Sequence, residues 1–414
     1  MTHFSSPVAG ARSAPGAGSG IGTRLAGVDA ARGIALLGMI AVHIVPLALT
    51  TEAGETESTW AAELFAGRSS ALFVLLSGVG LGLLSGGQSR LGGAGLAQVR
   101  RSVAVRALLV FVLGLGLGLL ETHVAVILVH YGLLFIFAIP FLGAGARTLG
   151  FWAAGWLLLS PLALYLLRPW LVGSMELFRL GASPLPQDLA TPSVFLADVF
   201  VTGYYPLVIW FGFILAGLCV GRLALGRRPV ALALAVGGTG LAVSTKLLSG
   251  WLLASEGALK SLALATGAPS RELSVGLVTG QGLEGAMDTP WFLGVSAPHS
   301  GAPFDALHVT GCALAALGAA QLLCMALTAL LSKAGEVLLW PLTGAGAATL
   351  TLYAGHLVAL DLLSEVSADA ADITVFIGYC VACLVFGLVV KITGRRGPLE
   401  ALVHSTSRTL GRST

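Results

Sequence analysis

The chain has 414 residues, of which 56% are hydrophobic and only 10% are charged, and its mean hydropathy is +0.90. No soluble domain covers so much apolar surface, so the composition excludes a soluble protein and predicts an all-α polytopic integral membrane protein in a lipid bilayer. The formal net charge of +3 is small and gives no reason to expect a nucleic-acid partner.

Ten apolar runs are long enough to cross a bilayer as helices. They cover residues 33–50, 61–85, 103–120, 123–142, 149–167, 201–221, 230–252, 306–331, 340–361 and 373–391. We therefore assign residues 24–392 to one membrane domain. Residues 1–23 are rich in Gly, Ala, Ser and Pro and lack the apolar core of a signal peptide, which predicts a flexible cytoplasmic tail. Residues 393–414 form the second predicted cytoplasmic tail.

Basic residues are distributed unevenly over the two sides that ten spans define. Of the 23 Lys and Arg residues, 17 fall on the side of the termini. The opposite side has only four, Arg168, Arg179, Lys260 and Arg271, and two more, Arg68 and Lys246, fall within spans. This asymmetry predicts that both termini are cytoplasmic. The long loops 168–200 and 253–305 are then extracytoplasmic, where they either cap a polar acceptor site or act as flexible spacers.

The first span carries two ionisable residues on one helix face. Arg32 and His43 are separated by eleven residues, close to three helical turns. Arg32 is predicted at the water interface, where it suits a phosphate. His43 is predicted near the middle of the hydrocarbon core, where an ionisable side chain indicates a functional site, such as a base. The alternative for His43 is a hydrogen bond between helices. Asp29 is expected either to cap this helix or to pair with Arg32.

Four further ionisable residues fall within spans: Arg68, His130, Lys246 and His356. Each of the two histidines is either a functional group or a hydrogen-bond partner for another helix, and the two cations either serve a site or extend toward the interface.

The remaining motifs favour packing over chemistry. Five cysteines, an odd number, all fall within spans, which argues against a disulfide framework. Cys380 and Cys383 have no second pair of ligands, and no His, Cys, Asp and Glu residues have metal-ligand spacing, so no metal is expected. The glycine pairs Gly78/Gly82 and Gly114/Gly118 predict close helix packing.

Several segments resemble the transmembrane acyltransferase superfamily, which includes heparan-alpha-glucosaminide N-acetyltransferases, acyltransferase-3 proteins and YeiB-type proteins. Residues 24–43 resemble its first-helix signature, and the spacing of Arg32 and His43 is similar to an acyltransferase-3 motif whose histidine is taken as catalytic. FAGRSSALFVLLSG, VILVHYGLLF, PLTGAGAATLTLYAGH and GRRGPLEAL are similar to YeiB-type segments. Val126 stands where that family often has Asp. The loop 51–60 lacks the histidine of the animal heparan enzymes, which leaves His43 as the candidate.

The resemblance implies a multi-pass plasma-membrane enzyme that moves an acyl group from cytosolic acyl-CoA to an extracytoplasmic saccharide or glycan. The acyl group is expected to be acetyl. The resemblance also implies His43 as the catalytic residue, which either deprotonates the acceptor or briefly carries the acyl group, and Arg68 as a group that either stabilises the oxyanion or orients the acceptor. Arg32, Arg100 and Arg101 would bind the CoA phosphates, with Arg90 and Arg106 nearby. His130 and His356 are assigned to acceptor binding. A transporter and a non-catalytic membrane scaffold are the alternatives, and a homo-oligomer is compatible with the sequence.

Overall fold

The computed structural model describes residues 25–52, 54–172, 183–283, 285–364 and 372–412, so the predicted tail 1–23 lies outside the described residues. The described chain is mostly helical. Its longer helices are α1 (Ala26–Ile44), α2 (Trp60–Phe65), α3 (Arg68–Leu84), α4 (Gly93–Leu117), α5 (Leu128–Ala138), α6 (Ala146–Val172), α7 (Pro192–Ala197), α8 (Leu207–Val220), α9 (Arg228–Leu253), α10 (Ala258–Thr266), α11 (Ser270–Thr279), α12 (Pro303–Leu331), α13 (Lys333–Ala347), α14 (Thr349–Leu362), α15 (Asp372–Thr393) and α16 (Pro398–Arg412). Strands β1 (Ala48–Thr50) and β2 (Thr56–Ser58) form an antiparallel hairpin after α1.

Six helices of the described chain are long and apolar enough to cross a membrane. They are α1, Trp60–Leu84, Ala146–Leu167, α9, α12 and α15. Two bent pairs raise the number to eight: Pro192–Thr202 with α8, at 56°, and α13 with α14, at 72°. The polytopic all-α class is therefore confirmed. The other two predicted runs also form helices, but α4 carries three arginines and Leu128–Gly143 is short, so ten spans stay a prediction.

The chain outside the long helices is more ordered than a set of flexible spacers. Residues 253–305 contain α10, α11 and two 3-10 turns, which enclose a small apolar core around Leu262, Leu273 and Phe292. Arg271 of α11 pairs with Glu55 beside the hairpin, and this hydrogen bond lowers the pKa of the Glu55 carboxyl. Within the loop 168–200, residues 173–182 lie outside the described chain.

Glycines allow the central helices to approach closely. Gly78 and Gly82 of α3 face Gly217 and Gly221 of α8, so the predicted packing role of the first glycine pair is confirmed. Gly114 packs against the start of α5, whereas the other member of its pair, Gly118, meets the Pro184 carbonyl and not a second helix. α1 lies among α3, α12, α13 and α14. All five cysteines are free.

We expect Gly217→Ala to lower thermal stability, although alanine is intrinsically the better helix former by about 1 kcal/mol. A Cβ atom at Gly217 would lie 1.9 Å from the Leu75 carbonyl oxygen, so α3 and α8 would have to separate. The matched control is Gly237→Ala on α9, where a Cβ atom meets nothing within 4 Å. Thermal unfolding in detergent should show a loss for the first variant only, and equal melting temperatures would contradict the packing argument.

Candidate functional site

Two cavities lie end to end along α1. The first, which we call the Arg32 cavity, has a volume of about 220 Å³ and is lined by side chains of α1, α3, α4, α5, α14 and α16. The second, the His43 cavity, has a volume of about 380 Å³ and is lined by the end of α1, the end of α2, the start of α3, Tyr353 of α14 and the loops before α5, α8 and α12. Because Arg32 and His43 are eleven residues apart on one helix, the two ends of the site are about 16 Å apart.

Three arginines line the Arg32 cavity: Arg32, Arg106 of α4 and Arg396. Arg32 Nη1 donates to Asp29 Oδ1 at 3.2 Å and Nη2 donates to the Leu76 carbonyl at 3.4 Å. Asp29 makes no capping bond to α1, so of its two predicted roles the ion pair is confirmed. Glu400 also lines this cavity, so the three arginines leave this end of the site with a net positive charge.

The C-terminal segment completes the Arg32 cavity. Glu400 of α16 accepts hydrogen bonds from the backbone N–H of Leu350 (2.7 Å) and Thr351 (3.2 Å) and from Thr351 Oγ1 (2.6 Å). A carboxylate at a helix N-terminus satisfies backbone donors and the helix dipole, so Glu400 holds α16 against the start of α14, where the α13–α14 pair bends. Arg396 is thereby brought to the cavity from a segment predicted only as a tail.

Arg100 and Arg101 are placed differently from the sequence expectation. They precede Arg106 on α4 by one to two turns and are not among the residues that line the Arg32 cavity. Their contact with a CoA phosphate stays a prediction, whereas Arg106 of the same helix lines the cavity.

His43 lines the second cavity and pairs with His356, which is buried and does not line that cavity. His43 Nδ1 is 3.0 Å from His356 Nε2, and the rings are nearly parallel, with centroids 5.2 Å apart and an interplanar angle of 8°. His43 lies in the last turn of α1 and not halfway along its span, because Pro46 prevents the helix from continuing. Its depth in the hydrocarbon core stays a prediction, and its alignment with Arg32 on one helix is retained.

Aromatic and imidazole rings line the remaining wall. His299 packs against Tyr204, with ring centroids 4.3 Å apart, and is stacked on Trp210 at 6.0 Å. Tyr205 and His123 also line the cavity. His299 belongs to the predicted extracytoplasmic loop 253–305 and was not predicted as a site residue. Its backbone has φ of +59°, unusual for a side-chain-bearing residue, and no local signal in the sequence indicated this conformation.

The sequence also predicted His130 and Arg68 for this site. His130 is buried behind Tyr205, 5.5 Å between ring centroids, and its ring nitrogens have no hydrogen-bond partner; it is not among the lining residues. Arg68 begins α3 and donates to the Ala62 carbonyl at 3.4 Å. Its neighbours Gly67 and Ser69 line the cavity, but Arg68 does not. Within the described residues, no group of three or more His, Cys, Asp or Glu could hold a metal.

We expect the protein to become less stable as the pH is lowered, because of His299. Burial lowers the pKa of His299 to about 3, whereas an exposed histidine titrates near 6.5. Since the folded state does not take up the proton that the unfolded state binds, the free energy of unfolding decreases as the pH falls from 6.5 toward 3, by about 2 kcal/mol at pH 5. His299→Phe keeps a ring but cannot titrate, so its melting temperature should fall less between pH 7 and pH 5. Equal slopes for both proteins would contradict the assignment.

A family model described as heparan-alpha-glucosaminide N-acetyltransferase, catalytic, matches residues 24–248, more than half of the chain. The protein therefore belongs to this family, as the resemblance indicated. No curated protein and no solved structure matches the chain. His356, the hydrogen-bond partner of His43, and Arg396, which lines the Arg32 cavity, lie beyond the matched residues.

Proposed function

We propose that the protein is a membrane-bound acetyltransferase that takes the acetyl group of acetyl-CoA through the Arg32 cavity and delivers it to a saccharide in the His43 cavity. The observation that carries the proposal is the pair of cavities on α1, one lined by three arginines and the other lined by His43, which is hydrogen-bonded to His356. Family membership supports the acetyl group and an amino sugar as acceptor.

The arginines suit the donor. Guanidinium groups bind phosphate through charge-assisted, often bidentate hydrogen bonds. Arg32, Arg106 and Arg396 would bind the CoA phosphates, and the pantetheine arm would extend along α1 toward His43. This places the thioester carbonyl near the histidine pair.

The histidine pair suits a general base. The donor and the acceptor of the His43–His356 hydrogen bond depend on the tautomers of the two rings, and we assign the proton of His356 to its Nδ1 atom. His356 Nε2 would then accept from His43 Nδ1–H, which leaves the lone pair of His43 Nε2 free for the reaction. His356 thus acts as a positioning residue that sets the tautomer of His43, a more specific role than the acceptor binding assigned to it from sequence.

The reaction follows in balanced steps. The acceptor nitrogen or oxygen attacks the thioester carbon while His43 Nε2 takes its proton. The tetrahedral intermediate collapses, the C–S bond breaks, and His43 returns the proton to the CoA sulfur. For Arg68 to stabilise the oxyanion, its side chain must turn from the Ala62 carbonyl into the cavity that Gly67 and Ser69 line.

Orientation follows from the charge asymmetry. Ten spans with both termini cytoplasmic would place the Arg32 cavity toward the cytosol and residues 253–305 outside, in the plasma membrane. We expect a cysteine at Ser274 to react with an impermeant thiol reagent on intact cells, and a cysteine at Ser405 only after permeabilisation. Both serines are exposed, on α11 and α16, so accessibility within the fold is matched. The reverse pattern would overturn the orientation.

The proposed function is tested by acetyl-CoA binding to the purified protein, followed by transfer of labelled acetyl to glucosamine. We expect saturable binding and a labelled product. Absence of both would contradict the proposal.

A transporter is the second candidate, because the break in each bent helix pair borders one cavity. Tyr204 and Tyr205, before α8, line the His43 cavity. Ala347, the last residue of α13, and Thr349, the first residue of α14, line the Arg32 cavity. Broken helices around a central site are typical of transporters. Uptake of an unmodified saccharide into proteoliposomes without acetyl-CoA would favour this candidate, whereas the acetyltransferase requires the donor.

A further inference from the structure

Tyr353 of α14 stands between the two cavities. Among the residues described as lining them, it is the one that both cavities share. Each cavity reaches exposed residues at its far end, Arg396 for the Arg32 cavity and His123 and Gln281 for the His43 cavity. Tyr353 itself is only 1% exposed. The two cavities would therefore form one passage along α1 if this side chain were absent.

The contacts of Tyr353 place it across the boundary. Its ring lies between Phe73, with centroids 6.4 Å apart, and the edge of His356, at 5.1 Å. Its hydroxyl oxygen accepts a hydrogen bond from the Ile127 N–H at 3.4 Å. Ile127 lines the His43 cavity and the next residue, Leu128, lines the Arg32 cavity, so the start of α5 is the opposite wall of the same boundary.

We propose that the Tyr353 side chain is the partition that separates the two cavities and that the acyl-pantetheine arm displaces it. The partition follows from the geometry alone, whereas its displacement by the donor rests on the proposed function. Rotation of the ring requires the loss of one long hydrogen bond, which is weak at 3.4 Å, and of aromatic contacts. A bound donor would then fill the passage that the ring vacates, so the protein stays closed to ions throughout the reaction.

The partition is tested by proton leak through proteoliposomes that contain a trapped pH-sensitive dye, without donor or acceptor. We expect Tyr353→Ala to raise the leak rate at least tenfold over the wild type, because a continuous polar passage opens. Tyr353→Phe keeps the ring and should remain tight. The matched control is Tyr131→Ala, since Tyr131 is also a buried tyrosine but lines the Arg32 cavity alone. It should enlarge one cavity without joining the two.

Truncation of a buried aromatic side chain is destabilising, so Tyr353→Leu provides a second variant that retains part of the apolar volume. This variant should also raise the leak rate above that of the wild type. A folded Tyr353→Ala or Tyr353→Leu protein that stays as tight as the wild type would overturn the partition, as would an equal leak from Tyr131→Ala.

The displacement is tested on the leaking variant. Acetyl-CoA should slow the Tyr353→Ala leak, because the donor arm fills the opened passage. A leak that acetyl-CoA leaves unchanged would overturn the displacement. The proposed function is tested separately, by acetyl transfer with the wild-type protein. The leak measurement does not depend on that activity, so the two failures are distinguishable.

Discussion

Replacing His43 by alanine is expected to abolish most acetyl transfer while the protein still inserts and still binds acetyl-CoA. Loss of a general base lowers rates by about 10²–10⁴-fold. Acetyl-CoA binding should persist because the three arginines that suit its phosphates line the other cavity. Two quantities are measured on the same preparation: the initial rate of acetyl transfer and the dissociation constant of acetyl-CoA.

Two variants separate chemistry from packing at His43. His43→Gln keeps hydrogen-bonding capacity toward His356 but is not an effective base, so it should be as slow as the alanine variant. His123→Ala removes a histidine of the same cavity outside the His43–His356 hydrogen bond and should retain most of the activity. If the glutamine variant transfers acetyl at the wild-type rate, His43 is only a contact between helices.

The second large effect is expected at Arg32. Arg32→Ala should weaken acetyl-CoA binding by roughly ten- to a hundredfold, because a hydrogen bond to a charged group contributes about 1.5–3 kcal/mol. High salt should mimic part of the loss, since the cavity opens to solvent at Arg396. Calorimetry on the purified protein at two salt concentrations measures both.

The Arg32 variant needs two controls. Asp29 is buried and would lose its ion-pair partner, so Arg32→Ala is best compared with Arg32→Ala/Asp29→Asn, which removes the unpaired charge. Arg101→Ala removes a cation from α4 outside the cavity and should leave binding unchanged. If Arg101→Ala weakens acetyl-CoA binding and Arg32→Ala does not, the donor site lies outside the Arg32 cavity.

The sequence was sufficient for features that depend on one helix or on composition. The membrane class follows from hydropathy, the alignment of Arg32 with His43 from helical periodicity, and the close packing at Gly78 and Gly82 from their spacing. Each needs only local geometry, so no knowledge of the tertiary fold was required.

The sequence did not reveal the parts of the site that tertiary packing creates. The contact of His43 with His356 joins residues 313 positions apart, and no periodicity encodes it. The position of Arg396 depends on the Glu400 carboxylate at the start of α14, a contact across 49 to 50 residues. The bend of α13 against α14 was not visible in the sequence either, because it leaves no gap in hydropathy.

The most direct test of the account is acetyl transfer across a sealed membrane. The purified protein is reconstituted into proteoliposomes with labelled acetyl-CoA only outside and glucosamine only inside. The two-cavity arrangement predicts acetylated glucosamine inside the vesicles and free CoA outside, with no product from the His43→Ala protein. Product that forms only when donor and acceptor share one compartment would contradict transfer through the two cavities.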